Sequence, residues 1–212
     1  MKRRVDRKRG WQYILPAPVL LAGLWLLSSP ASAGNAASNS VPPGASNIPL
    51  DNALLVSHVT WQGISQPNAR NTTQTIALAL RPVGGGPYYA YSGMTTDANG
   101  YFTIDVSALP SGEYNYRVKG PRNLANGGVV TLAGAPVTNV EMGILRAGDA
   151  NDDNAVNVMD FSIFKNSYGK WRGCFCEEDM RVDFNNNDVI NTTDYTLLKG
   201  SYGLGGAPPI GP

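Results

Sequence analysis

Asp149-Ala150-Asn151-Asp152-Asp153-Asn154-Ala155-Val156-Asn157-Val158-Met159-Asp160 recurs 34 positions later as Asp183-Phe184-Asn185-Asn186-Asn187-Asp188-Val189-Ile190-Asn191-Thr192-Thr193-Asp194. Oxygen-bearing side chains stand at positions 1, 3, 5, 9 and 12 of both copies, the spacing that a hard, oxygen-loving cation needs from a chain folding around it. Each copy therefore reads as a calcium loop. In the first, Asp149, Asn151 and Asp153 are placed to ligate through side chains, Ala155 through its carbonyl, Asn157 directly or through water, and Asp160 closes the site. In the second the same places fall to Asp183, Asn185, Asn187, Val189, Asn191 and Asp194.

Both loops depart from the EF-hand formula. Position 6, where glycine usually takes a left-handed turn, holds Asn154 and Asp188, residue types that tolerate positive φ better than most. The closing ligand is Asp rather than Glu, and this shorter side chain draws its backbone nearer the ion. A helix follows each loop, over 160–169 and 194–203. Phe161/Phe164/Tyr168 and Tyr195/Leu198/Tyr202 recur at i, i+3 and i+7, so each helix is expected to carry one apolar stripe. Gly169 and Gly203 are placed to end them. Helices of about ten residues are marginal alone, so their folding should depend on packing and metal.

The duplicated unit, from about Gly148 to Leu204, resembles the type I dockerin domain. Both copies share ligand order, the apolar Val156 or Ile190, the helix stripe, Lys165 or Lys199, and a terminal Ser-Tyr-Gly. The resemblance implies two bound calcium ions and a cohesin module as partner, usually in recruiting secreted polysaccharide-degrading enzymes. It also implies partner contacts at Val158, Met159 and Lys165 in copy 1 and at Thr192, Thr193 and Lys199 in copy 2. Asn166 and Gly200 depart from the neighbouring basic residue of that pattern. Because Val158-Met159 and Thr192-Thr193 differ, one binding orientation is expected to be preferred.

Ahead of this unit, over 51–146, the chain alternates short β-forming runs with turn signals: Leu54–Trp61, Thr75–Leu80, Tyr88–Tyr91, Tyr101–Val106, Tyr114–Val118, Val129–Leu132 and Val137–Met142. About seven short strands in some 90 residues suggest a small all-β sandwich. Asn99-Gly100 suits a tight turn, after which Phe102, Ile104 and Val106 face one side and Tyr101, Thr103 and Asp105 the other. The phrase Thr96-Asp97-Ala98-Asn99-Gly100-Tyr101-Phe102, with Leu109-Pro110-Ser111-Gly112-Glu113-Tyr114 after it, resembles carboxypeptidase-regulatory-like and prealbumin-like sandwiches, usually non-catalytic spacers or binding platforms. The fold expected is thus multidomain, an all-β sandwich followed by an all-α pair of calcium loop-helix motifs.

Six basic residues, an apolar run from Trp11 to Leu27 and Ala31-Ser32-Ala33 read as a secretory signal peptide over 1–33; the other reading is a retained membrane anchor. Residues 34–50 read as a disordered spacer, and 205–212 as a flexible tail. Removing 1–33 takes six basics and one acid from the 17 and 16 present, leaving 11 against 15, a net charge of −4. Ten of those acids lie between Asp149 and Asp194, which suits cation binding and argues against nucleic acid. Secretion with no membrane association after cleavage is expected; attachment to the cell surface stays open. Cys174 and Cys176 could form a small disulfide, stay reduced, or pair with another chain.

The strand-rich segment shows no catalytic constellation. His58 is read as a packing or surface residue, and Asp51, Asp97, Asp105, Glu113 and Glu141 as scattered turn and solvent-face acids. Trp61, Tyr88, Tyr89, Tyr91, Tyr101, Tyr114 and Tyr116 read as residues that fill or flank the β core, with a sugar-stacking face as the other use. The function expected is a secreted, non-catalytic adaptor docking onto a cohesin-bearing partner. A small carbohydrate-active enzyme, a polysaccharide-binding module, and a calcium-stabilised structural protein without a cohesin partner stay open. Loop 1 lists three carboxylates against two in loop 2, so at equal geometry it should take calcium more tightly. A titration followed loop by loop checks this: loop 2 filling first would contradict the carboxylate count.

Overall fold

In this computed structural model the described residues are 53–134, 136–174 and 179–211. The leader and spacer expected over 1–50 lie outside them, as does Cys176. Among the described residues seven strands form, β1 (Leu54–Trp61), β2 (Thr75–Pro82), β3 (Tyr89–Thr95), β4 (Tyr101–Asp105), β5 (Gly112–Lys119), β6 (Asn126–Leu132) and β7 (Val137–Leu145). They build one sheet of order β4-β1-β7 and another of order β3-β2-β5-β6. β1 runs antiparallel to β4 and parallel to β7.

Alternation sets the faces. Leu55, Val59 and Trp61 of β1, Leu78 and Leu80 of β2, Phe102 and Ile104 of β4, and Tyr114, Tyr116 and Val118 of β5 meet in one apolar core. Tyr101, Thr103 and Asp105 are exposed, as period-two patterning requires. Buried aromatics keep their polar ends satisfied: Trp61 Nε1 donates to Thr96 Oγ1 at 3.1 Å and Tyr114 Oη to the Pro110 carbonyl at 2.8 Å. Gly100 sits at φ 87°, and a Cβ there would lie 2.1 Å from the Val59 carbonyl oxygen, so only glycine fits the turn.

A second core joins Val156, Phe164, Val182, Phe184, Ile190 and Leu198 to Leu124 and Ala147. It lies beneath helices α1 (Val158–Ser167) and α2 (Thr192–Ser201). Both begin two residues before the expected start, because Asn157 and Asn191 act as N-caps and Asp160 and Asp194 complete capping boxes. The expected stripes are corrected too. Phe164 and Leu198 are buried, but Phe161, Tyr168, Tyr195 and Tyr202 are exposed. The inward line is Asp160/Phe164/Ser167 and Asp194/Leu198/Ser201, since the closing carboxylate must face its loop and fixes the rotation of the helix.

The described residues fall in one compact unit, and the boundary read at 146/147 runs through packed structure. Asn123 and Ala147 pair in an isolated antiparallel bridge, and the Leu124 N–H donates to the Arg146 carbonyl at 2.7 Å. Of the flexible tail expected over 205–212, residues 205–211 are described, and they are laid down instead. The Ala207 N–H donates to Ala125 O at 2.8 Å, while Arg117 Nε and Arg81 Nη1, each at 3.0 Å, donate to the carbonyls of Ala207 and Gly211. Extended backbone without a sequence signal of its own is held here by the polar groups of β2 and β5.

The β5–β6 connection carries part of the join. Arg122 Nη1 donates to the Asp183 carbonyl at 2.6 Å and Nη2 to Gln74 Oε1 at 2.9 Å. Burial pulls this guanidinium below its ordinary pKa, with Asp183 acting in the opposite sense. Arg122→Ala should cost about 2–3 kcal/mol of stability, because it leaves buried acceptors unpaired. Denaturant unfolding measures this, and a loss below about 0.5 kcal/mol would mean that water replaces the guanidinium freely.

Candidate functional site

Each loop is organised around two buried carboxylates, at its first and last positions. Asp149, Asp160, Asp183 and Asp194 are all 0% exposed. Asp160 Oδ1 accepts from the N–H groups of Ala150 at 2.8 Å and Asn151 at 3.2 Å, and Oδ2 accepts from Asn157 N at 2.8 Å. Asp194 repeats this with Phe184 at 2.9 Å, Asn185 at 3.3 Å and Asn191 at 3.0 Å. Asp149 Oδ2 accepts from Asn154 N at 3.0 Å, and Asp183 Oδ2 from Asp188 N at 2.8 Å. The first carboxylate thus ties position 1 to position 6 in both copies, and the last ties the loop entrance to the helix start.

Positive φ falls on Asn154 and Asp188, as expected for position 6, and also on Asp152 and Asn186 at position 4, which the EF-hand formula did not flag. Asn, Asp and Gly are the residues that enter this region at least cost. The remaining oxygens are partly committed. Asp153 Oδ1 accepts from Ala155 N at 2.9 Å and Oδ2 from Asn151 Nδ2 at 2.8 Å. Asn187 Oδ1 accepts from Val189 N at 3.0 Å, and Asn185 Oδ1 from Asn187 N at 3.1 Å. Asn157 and Asn191 turn their side-chain oxygens to the N–H groups of Met159 and Thr193.

Among the described residues no three His, Cys, Asp or Glu side chains gather into one cluster. One atom stands apart: Asp149 Oδ1 is buried and has no hydrogen-bond partner among the described residues. A buried carboxylate oxygen without a donor is costly. Calcium chemistry supplies what it lacks, and the surrounding donors, all carboxylate, amide and carbonyl oxygens, suit that ion.

The two units interlock by exchanging backbone bonds. Gly169 N, just past α1, donates to Ile190 O at 2.9 Å, and Ile190 N donates to Lys170 O at 2.9 Å. Gly203 N, just past α2, donates to Val156 O at 2.8 Å, and Val156 N donates to Leu204 O at 2.9 Å. Each helix exit is thereby pinned to position 8 of the opposite loop. The insertion between copies is held by a bridge of Trp171 to Val189 and by Arg172 Nε donating to Asp188 Oδ1 at 2.6 Å. Cys174 is disulfide-bonded.

Every expected partner position is on the surface: Val158, Met159, Lys165, Thr192, Thr193 and Lys199 are all exposed. Val158 and Met159 are 58% and 59% exposed, high for apolar side chains. Beside them a shallow groove is lined by Phe161, Tyr195, Leu198, Lys199 and Tyr202, with the Phe161 and Tyr195 ring centroids 6.4 Å apart. In the strand-rich part, His58 Nδ1 meets Glu141 and Nε2 lies 2.9 Å from the Asn99 carbonyl, so this ring bridges β7 and the turn before β4.

Residues 147–201 match the model of the dockerin type I domain, a calcium-binding domain. Two solved structures are similar to a larger part of the chain. A C-terminal interface mutant of the type II cohesin–X–dockerin complex from Acetivibrio cellulolyticus shares 15% identity over 72% of this chain and 97% of that one, with a TM-score of 0.55. An N-terminal interface mutant of the same complex gives 15% identity, the same coverage and a TM-score of 0.53. At this identity the likeness concerns the fold. No curated protein matches the chain.

Burial pushes the Asp149 carboxyl above its usual value, against the pull of Lys119 and of the Asn154 N–H. It raises Asp194 against the N–H groups of Asn191, Asn185 and Phe184. Without metal, each of these groups keeps its proton in the folded chain at a pH where the unfolded chain has lost it. Their contribution to stability is therefore full below the unfolded pKa of about 3.9 and is lost as pH rises through the raised folded value. In chelator, the chain should gain melting temperature relative to Asp149→Asn as pH falls through that window. A gap moving the other way would show that Lys119 outweighs burial.

Proposed function

We propose that this chain is a secreted, non-catalytic adaptor, in which a β-sandwich carries a dockerin that binds two calcium ions and docks onto a cohesin module. Its setting would be extracellular polysaccharide degradation or surface assembly. The observation that carries this reading is the dockerin match over 147–201 on a pair of loop-helix units whose helices turn apolar and aromatic side chains outward. Calcium would be held in loop 1 by Asp149, Asn151, Asp153, Ala155, Asn157 and Asp160, and in loop 2 by Asp183, Asn185, Asn187, Val189, Asn191 and Asp194. The ion supplies positive charge that offsets the buried carboxylates, and its binding free energy adds to folding.

The non-catalytic part rests on what the strand-rich segment does with its ionisable groups. Asp97 and Asp105 accept hydrogen bonds from nearby backbone N–H groups in turns. His58 is committed to a cross-strand bridge, and Trp61, Tyr114 and Tyr116 are buried in the core rather than lined up for stacking on sugar.

At the docking face, the copies offer unequal surfaces. Val158-Met159 supplies apolar area that Thr192-Thr193 lacks, and a few well-packed anchors near the centre of an interface carry most of its binding energy. Capture of the full chain on immobilised cohesins should occur in calcium and vanish in chelator. Met159→Asp should weaken it by about tenfold or more, and Thr193→Asp by clearly less. Equal losses would remove the orientation preference, and capture unaffected by chelator would remove calcium-dependent docking.

A further inference from the structure

Lys119, the last residue of β5, reaches out of the strand-rich module into loop 1. Its Nζ donates to Asp149 Oδ2 at 2.8 Å, contacts Asp152 Oδ1, and donates to the Asn123 carbonyl at 2.9 Å and the Gly120 carbonyl at 3.3 Å. The Lys119 side chain is 13% exposed and the Asp149 side chain 0%, so solvent screens this pair weakly. Loop 2 is treated differently. Among the described residues, the Asp183 carboxylate accepts only from the backbone N–H groups of Asn187 and Asp188, and Arg122 approaches Asp183 through its carbonyl.

We propose that Lys119 is a built-in counter-cation of loop 1, which holds that loop together in the absence of calcium and opposes the ion's entry by its charge. The inference rests on the reading of the loops as calcium sites. Lys119 occupies Oδ2 and leaves Oδ1 of the same carboxylate open, so it is a positioning residue that does not have to depart when a cation arrives. It stays, and a fixed ammonium on a ligand carboxylate repels a dication. Stabilising the calcium-free loop and repelling the ion act in the same direction: both lower the affinity of loop 1. The third carboxylate that favours loop 1 in the sequence is offset by a lysine contributed from 30 residues upstream.

The test is a calcium titration of the full chain followed by amide NMR signals, with Asn151–Asn154 reporting loop 1 and Asn185–Asp188 loop 2. Lys119→Met should raise the affinity of loop 1 by about tenfold and leave loop 2 within about twofold, while Lys119→Arg should behave as the native chain. The melting temperature of Lys119→Met in chelator should fall, so its increment on adding calcium grows. Lys119→Gln, which keeps a donor without the charge, should repeat the gain if the methionine variant does not fold. Unchanged or weaker loop 1 binding in the uncharged variants overturns the proposal, since Lys119 would then only orient Asp149. No calcium shift at loop 1 in the native chain would instead overturn the calcium reading itself, before any variant is compared.

Discussion

The C-terminal part of this structure depends on a buried carboxylate that closes each loop. Asp160 and Asp194 each gather three backbone N–H groups from the loop entrance and the helix N-cap. One side chain thereby fixes where the loop begins, where it ends and how the helix is rotated. That rotation sends Phe164 and Leu198 inward and leaves Phe161 and Tyr195 on the surface. An anion at a helix N-terminus is also favoured by the helix dipole, so the fold reinforces what the ligand chemistry requires.

The strand-rich module completes the pair of loop-helix units. Its β5–β6 connection places Lys119 on the first carboxylate of loop 1 and Arg122 on the carbonyl of the first residue of loop 2. The short helix Ala69–Thr73 meets position 4 of loop 2, where Asn186 Nδ2 donates to Thr73 Oγ1 at 2.9 Å. Ala125 N donates to Asn154 Oδ1 at position 6 of loop 1 at 2.8 Å. These contacts all fall on the loops, and none uses the exposed positions of α1 or α2. A module that grips loops in this way orders them and leaves the outward faces of the helices exposed, while on the inner face Ser201 Oγ of α2 donates to Gln62 Oε1 at 3.4 Å.

Local rules made much of this legible. The seven strands follow from alternating apolar residues and Gly- or Asn-containing turns, because period-two burial is written directly into neighbouring residues. The loops follow from a repeat of oxygen-bearing side chains at fixed spacing. The helix stripes mislead, since Phe161/Phe164/Tyr168 is apolar at a helical period, yet the face that goes inward is decided by Asp160. The Ser-Tyr-Gly repeat held the signal: Ser167 and Ser201 are buried, and a recurring small polar residue beside a recurring aromatic marks the tight side of a helix. Lys119, Arg122 and the laid-down tail were illegible because they act across 30 to 130 residues of sequence, and a lysine at a strand end carries no mark of the carboxylate it will meet.

Duplication alone would make the two loop-helix units interchangeable. Exchanging them maps Gly169–Ile190 onto Gly203–Val156, and Asp160 onto Asp194, so the internal bonding tolerates the swap. The rest of the chain does not. Lys119 meets a side-chain carboxylate in one copy while Arg122 meets a backbone carbonyl in the other, and Val158-Met159 has no apolar counterpart in Thr192-Thr193. The asymmetry is therefore present at two levels, in the charge facing each loop and in the surface each helix offers. Both place the distinctive features on copy 1: the helix with the more apolar face follows the loop whose first carboxylate is already bound to a lysine of the sheet module. Any partner that favours the apolar helix face engages the copy whose first loop carboxylate is bound by a lysine of the sheet module.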